Sequence, residues 1–249
     1  MNTLPRAILL DLDDTILSSY GRPEIAWAKV TASFASALLP LSSPTVATAV
    51  ADIARAFWSD PAAHKFWRGH LGEARRRIAA TALARLAPDR NPEDRAELAI
   101  VLADRFTALR EEEMHLFDGA AETLDRLRLL GVGLALITNG AAETQRAKIR
   151  RFDLEHRFDH IQIEGECGFG KPEERAYTHA MMVLKVRPNE AWMVGDNLEW
   201  EVAAPQRLGI HAIWLDAYDA GLPPGSTIRP DRIVRSLTEL LAPRGTKEP

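Results

Sequence analysis

The stretch Ala7-Ile8-Leu9-Leu10 is apolar at every position and stops at Asp11-Leu12-Asp13-Asp14-Thr15, which sets three carboxylates within four residues. A short apolar run of this kind suits a strand buried on both faces of a parallel sheet. Alternation along the strand sends Asp11 and Asp13 to the same side, so two acids converge on one point. Like charges brought that close inside a protein need a cation between them or a proton on one of them. In an open α/β sheet, the crevice beyond the carboxyl ends of the strands is where ligands bind. An acidic turn capping the next helix would give the same local sequence, so the rest of the chain has to decide.

Two textures follow. From about Ser18 to Met114 the spacing is helical and offers no strand. Val46, Val50, Ile53 and Phe57 fall on one helix face, as do Leu98, Val101, Leu102 and Leu109 after an Asn91-Pro92 start suited to a cap and first turn. Stretches 24–39 and 71–86 read the same way more weakly. From Leu116 onward, strands and helices alternate. Strands are expected at Gly133–Thr138, His160–Glu164, Ala191–Val194 and Ile210–Leu215. Helices are expected at Glu122–Leu130, Ala141–Arg151, Pro172–Leu184 and Ser236–Leu241. Alternation of this type predicts a doubly wound, Rossmann-like α/β core with a parallel sheet. That core takes in residues 1–17 and 115–249, and an all-helical domain over 18–114 is inserted after its first strand.

The strand ends carry the polar residues. The strand at 133–138 ends in Thr138-Asn139-Gly140 and opens into a helix, which offers hydroxyl, amide and backbone N–H groups to an anion. An ordinary helix cap and turn would look alike. Gly168-Phe169-Gly170-Lys171-Pro172 sets one lysine in a loop before a helix. The strand at 191–194 ends in Gly195-Asp196-Asn197, followed by Glu199 and Glu201. Four such endings in one sheet are hard to assign to capping alone. Asp11, the main-chain carbonyl of Asp13 and Asp196 are hard oxygen ligands of the kind Mg²⁺ takes. Thr138, Asn139 and Lys171 supply donors and a positive charge for phosphate oxygens. Phosphoryl transfer needs this combination.

The ordered set Asp-x-Asp-x-Thr at 11–15, Thr-Asn at 138–139, Lys-Pro at 171–172 and Gly-Asp at 195–196 resembles the haloacid dehalogenase (HAD) superfamily, in its phosphatase branch. The inserted helices resemble that superfamily's helical cap. The resemblance implies that Asp11 attacks phosphorus and forms an aspartyl-phosphate. Asp13 would protonate the leaving oxygen and then deprotonate the hydrolytic water. It implies further that Thr138 and Asn139, with Gly140, hold the phosphoryl group, that Lys171 offsets charge, and that Asp196 binds Mg²⁺. Thr15 would fix the turn that aims Asp13, with Asn197 and Glu201 in support. Relatives that displace halide lack an acid at the position of Asp13, which favours phosphate esters over a 2-haloacid dehalogenase. A phosphomutase, a phosphonatase and a catalytically weak binding or regulatory protein remain as alternatives. Many relatives carry an aspartate where this chain has Glu201; a glutamate there is expected to reach a metal-bound water. Pro205 requires the helix after it to begin late or kink.

The helical domain contributes His64-Lys65-Phe66-Trp67-Arg68-Gly69-His70 and Arg75-Arg76-Arg77, the most cationic and aromatic part of the chain, with Trp27 and Trp58 as further aromatic surface. His64 and Arg68 are candidate contacts for a second anionic group on a small phosphorylated metabolite. A solvated basic face would have the same composition.

Across 249 residues, 31 Lys and Arg against 35 Asp and Glu give a net charge of −4, without the basic footprint of a nucleic-acid binder. No apolar run could cross a bilayer, and residues 1–6 lack the layout of a secretion signal. The single cysteine, Cys167, allows no internal disulfide. A cytoplasmic setting is expected, with the protein a monomer or a homodimer.

Overall fold

The computed structural model describes residues 4–242. Of the stretch 1–6 read above, residues 1–3 lie outside the described residues. The chain divides into two compact units, one holding the chain up to Ser18 and from His115 on, the other Ser19–Met114.

The first unit is built on strands β1 (Ala7–Leu10), β4 (Gly133–Thr138), β5 (His160–Ile163), β6 (Ala191–Gly195), β7 (His211–Leu215) and β8 (Arg232–Val234). They form one sheet in the order β5-β4-β1-β6-β7-β8, parallel throughout. Burial explains the continuous apolar runs: all of β1 and β6 is buried, and all of β4 after Gly133. The chain runs outward from β1 through β4 to β5, then returns to the other side of β1 to lay down β6. That reversal opens a crevice at the carboxyl end of β1. Register fixes who meets there. Leu10 lies opposite Leu136 on one side and Val194 on the other, so Asp11, the end of β4 and Gly195-Asp196 leave the sheet at one level.

A two-stranded antiparallel ribbon, β2 (Leu17–Ser18) with β3 (His115–Leu116), closes this unit where the chain leaves and re-enters it. At two residues each, these strands are too short for any periodicity to reveal, and Ser18, read as the start of the helical stretch, belongs to the ribbon. β8 also escaped the sequence reading, because three residues at a sheet edge carry no apolar run.

The second unit is helical: α1 (Pro23–Ser33), α2 (Ala35–Leu38), α3 (Ser43–Trp58), α4 (Pro61–Trp67), α5 (Leu71–Leu86) and α6 (Pro92–Glu113). Asn91 caps α6 as its sequence predicts, accepting from the N–H groups of Glu93 and Asp94. Val46, Val50, Leu98 and Leu102 enter the core, while Val101 points outward at 40% exposure. Its place one residue before Leu102 puts it about 100° around the helix. Trp27 is not aromatic surface. It stacks on Phe106 at 4.1 Å between ring centroids and is the aromatic centre of this unit's core.

The three arginines at 75–77 also divide. Arg75 is half-sunk over Tyr20 and Phe106, Arg76 pairs with Asp104, and Arg77 lies over Trp67. Each is engaged within the helical unit.

The α/β unit is completed by α7 (Ala120–Leu129), α8 (Ala142–Arg151), α9 (Glu164–Cys167), α10 (Glu174–Leu184) and α11 (Ala204–Arg207). The segment before α11, Leu198–Ala203, is a wider π-helical turn, so Pro205 falls in the first turn of α11, where its missing N–H costs no hydrogen bond. The expected C-terminal helix is a 3-10 turn, Leu237–Leu241, capped by Ser236.

Beside β5, burial holds the His160 imidazole below its ordinary value, and His179, 5.4 Å away ring to ring, adds to the shift against a hydrogen bond with Gln162. The folded state therefore binds this proton less readily than the unfolded chain. Stability is full above the unfolded value near 6.5 and falls as the pH drops through the window below it. Urea midpoints from pH 7.5 down to 5 are expected to decline, and the decline is expected to be shallower in His160→Asn. Equal slopes in the two proteins would refute this.

Candidate active site

The site is assembled from four strand-end loops of the parallel sheet. Asp11 continues the β1 ladder, its N–H donating to the Val194 carbonyl at 3.0 Å, so the residue that carries the carboxylate is fixed by backbone pairing to β6. The following residues turn sharply. Asp14 has φ of 56°, and the turn is tied by Asp14 N–H to Leu17 O at 2.6 Å and by Ile16 and Leu17 N–H to Leu12 O. Thr15, expected to fix this turn, is fully buried, and its hydroxyl has no hydrogen-bond partner among the described residues. Main-chain bonds do that work, and Tyr218 adds to it by donating from its hydroxyl to Asp14 Oδ1 at 3.1 Å.

Lys171 lies at the centre of the site. Its Nζ is 2.5 Å from Asp11 Oδ1 and 2.7 Å from Glu201 Oε1, with the lysine and glutamate side chains each 1% exposed. Burial alone would push this ammonium down. The facing carboxylates of Asp11 and Glu201 outweigh it and hold Lys171 above its ordinary value. Burial likewise raises Asp11, with Lys171 opposing and Asp13 adding. It raises Glu201 as well, against Lys171 and the Asn197 N–H.

Glu201 faces inward through both oxygens, one on Lys171 and the other accepting from Asn197 N–H at 2.8 Å. The expectation that it reaches a metal-bound water is therefore corrected: its carboxylate holds the lysine. Asn197 caps the turn that delivers Glu201, accepting from the N–H groups of Glu199 and Trp200. Gly195 makes room for it, because a Cβ there would stand 2.2 Å from Glu201 Cγ.

Asn139 and Gly140 also serve the protein here. The Asn139 amide donates from Nδ2 to the Lys171 carbonyl at 2.7 Å and accepts at Oδ1 from the Lys171 N–H at 2.9 Å. This bidentate pairing sets the backbone from which the lysine reaches inward. The Gly140 N–H donates to Glu164 Oε2 at 3.0 Å. The expected cradle of Thr138, Asn139 and Gly140 thus loses the Asn139 amide and the Gly140 N–H, since a carboxylate and a peptide group already occupy them. Thr138 remains, its buried hydroxyl accepting from Gln145 Nε2 at 2.5 Å.

Asp13 is met by two residues that the sequence reading passed over. Lys148 Nζ lies 2.7 Å from Oδ1 and 2.9 Å from Oδ2, and Gln145 Nε2 lies 2.8 Å from Oδ2. Both come from α8 and both side chains are buried. The signal was available: an amide and a charged side chain three residues apart share a helix face with the buried Ile149.

Asp196 leaves the end of β6, its carbonyl accepting from Trp214 Nε1 at 2.6 Å. The residue is exposed. The crowding of protein behind it, with Glu201, Asp11 and Asp14 adding negative charge, holds it well above its ordinary value. His64 and Arg68 belong to the helical unit, where they lie one turn apart and His64 packs on the edge of Trp58.

A buried carboxylate held by an ammonium, a second carboxylate two residues on and a hydroxyl at the next strand end define a hydrolase-type site on a doubly wound sheet. A model of the haloacid dehalogenase-like hydrolases matches residues 5–209, and the chain belongs to this family. Among curated relatives, a phosphoserine phosphatase from Thermus thermophilus is 39% identical over 121 residues, an alignment that spans about half of each protein, 48% in both cases. A glyceraldehyde 3-phosphate phosphatase from Pyrococcus furiosus is 27% identical over 84% of this chain and 80% of its own. The fold is shared with the Bacillus subtilis HAD-hydrolase YfnB bound to magnesium, at a TM-score of 0.69 and 22% identity over 96% of this chain and 97% of that one. The phosphatases among these relatives support the phosphatase branch of the family. No helix among the described residues is long and apolar enough to cross a membrane.

Removing the cation from between Asp11 and Glu201 leaves two buried carboxylates facing each other. Lys171→Met is expected to cost about 3–5 kcal/mol of stability, as breaking a buried ion pair from one side does, read from urea midpoints. Gly195→Ala is expected to displace Glu201 and lower the melting temperature by several degrees, an effect that Glu201→Ala in the same chain should relieve. An unchanged midpoint in Lys171→Met would show that the pairing carries no stability.

Proposed function

We propose that the chain is a Mg²⁺-dependent phosphomonoester hydrolase of a small phosphorylated metabolite. The observation that carries the proposal is the pairing of Asp11 with Lys171 at 2.5 Å, beside a separately held Asp13. Lys171 opposes the upward push of burial on Asp11 and aims its carboxylate, as a nucleophile needs. In the first step, Asp11 attacks phosphorus, the bond from phosphorus to the ester oxygen breaks, and Asp13 gives that oxygen a proton. In the second step, Asp13 takes a proton from water, the water oxygen attacks phosphorus, and the electron pair of the Asp11–phosphorus bond returns to Asp11. The Thr138 hydroxyl and the Lys171 ammonium are the donors for the phosphoryl oxygens. Asn139 acts one step back, by holding the main chain of Lys171.

The donor set fits Mg²⁺. Asp11 is pushed upward by burial with Asp13 adding, and Asp196 by desolvation with Glu201, Asp11 and Asp14 adding, which marks a place where positive charge is in deficit. With the Asp13 carbonyl, Asp11 and Asp196 form an open set of hard oxygens. An open set is what Mg²⁺ accepts, because it keeps several of its waters. When bound there, it would offset the charge on the phosphoryl oxygens.

Halide displacement by Asp11 gives Asp13 no task, since halide leaves without a proton. The phosphoserine and glyceraldehyde 3-phosphate phosphatases among the relatives support small alkyl phosphates as the substrate class. Phosphate release from a panel of alkyl phosphates is expected with Mg²⁺, to be abolished by chelator, and to fall by at least about 10³-fold in Asp11→Asn, as loss of a nucleophile does. Release that persists in Asp11→Asn would overturn the mechanism. Absence of release from every ester would favour the binding-protein alternative.

A further inference from the structure

We propose that Lys148 and Gln145 are positioning residues for Asp13, and that they select Asp13 Oδ1 as the oxygen that hands over the proton. The inference rests on the phosphomonoester reading above.

Lys148 is 7% exposed at its side chain, a burial that a lysine tolerates only beside an anion. That anion is Asp13, 15% exposed and reached at both oxygens. Gln145 bridges, its Nε2 lying 2.8 Å from Asp13 Oδ2 and 2.5 Å from Thr138 Oγ1. The proposed acid and the proposed phosphate-binding hydroxyl are therefore spanned by one amide on one helix. Residues three apart on a helix lie side by side, so α8 presents Gln145 and Lys148 as one rigid two-pronged clamp. Its own seat is fixed by Ile149, fully buried in the sheet's helical layer.

The two Asp13 oxygens are not equivalent. Oδ2 receives both Gln145 and Lys148, while Oδ1 receives Lys148 alone. A carboxylate oxygen already taking two donors has little lone-pair capacity left for a third partner. Oδ1 is the atom left to give a proton to a leaving alkoxide and to take one from water. Without the clamp, the Asp13 side chain keeps its chemistry and loses its aim, and misplacement by about an ångström costs orders of magnitude in rate.

A leaving group that needs its proton should feel this loss, and one that does not should feel it less. O-Phosphoserine and glycerol 3-phosphate release alkoxides; p-nitrophenyl phosphate releases a stabilised phenolate. The value of kcat/KM reports only the steps up to departure of the leaving group, so the comparison isolates proton donation. In Lys148→Met, the fall in kcat/KM with the alkyl phosphates is expected to exceed the fall with p-nitrophenyl phosphate by about tenfold or more, within the range that general acid catalysis supplies. Gln145→Ala should act in the same direction, and Lys148→Arg should restore part of the ratio.

Arg146→Ala, on the same helix but paired with Glu166, is the control and should leave the ratio unchanged. Equal losses with both kinds of ester in Lys148→Met and Gln145→Ala would overturn the inference and leave the phosphatase reading standing. A wild-type protein that hydrolyses none of the esters with Mg²⁺ would overturn both. Should Lys148→Met fail to fold, Gln145→Ala, which removes no charge, decides by the same ratio.

Discussion

The buried ammonium of Lys171, gripped by Asp11 and Glu201, is the interaction on which the rest of the α/β unit depends. Two carboxylates and one ammonium away from water are tolerable only if every charge keeps a close partner. Each surrounding feature meets that requirement. Asn139 fixes the lysine's main chain from the end of β4, and Asn197 fixes the turn that delivers Glu201. Gly195 leaves the volume that the glutamate occupies. Residues that look like separate ligand contacts along the sequence prove to be supports of a single charged cluster.

The cluster is acidic on balance. Asp11 and Glu201 share one lysine, and Glu201, Asp11 and Asp14 all add negative charge around Asp196. The parallel sheet forces this crowding, because adjacent strands in register end at the same level and each brings its own polar ending. Such an excess of negative charge disfavours the folded state by itself and suits a divalent cation and a substrate held through it. Asp13 is kept apart from the crowd by Lys148 and Gln145, so two aspartates two residues apart experience different surroundings. Different surroundings are what the proposed division into nucleophile and proton carrier requires of such a pair.

The helical unit follows another logic. Its stability comes from an apolar interior around Trp27, Phe106 and the small alanines of α5 and α6, with charged residues disposed as surface pairs and ring contacts. Composition singled out the stretch 64–77 as cationic and aromatic. Three-dimensional structure shows much of that charge engaged within the unit, by Asp104 and by the rings of Tyr20, Phe106 and Trp67.

The sheet was legible because a strand buried on both faces must be apolar throughout, and a ligand-binding strand end must then turn polar abruptly. Asp11, Thr138, Lys171 and Asp196 were therefore visible from local sequence, as were the helices with apolar stripes and the Asn91 cap. Elements whose identity lies in their neighbours were not: the two-residue ribbon and the edge strand β8, while the helix expected after Ser236 is present as a 3-10 turn. Val101 and Trp27 were misplaced because a one-residue rotation on a helix, or the side on which an aromatic ring packs, is decided by the partner surface. The partners of each charge also lay beyond the sequence. Glu201 turning inward to Lys171, Asn139 spent on a peptide group, and Lys148 reaching Asp13 join residues separated by 30, 32 and 135 positions. The chain by itself determined which chemical groups stand at the ends of its strands, since local burial dictates that pattern. Tertiary structure alone decided which of them hold one another and which are left to act, because electrostatic partnership depends on distance in space.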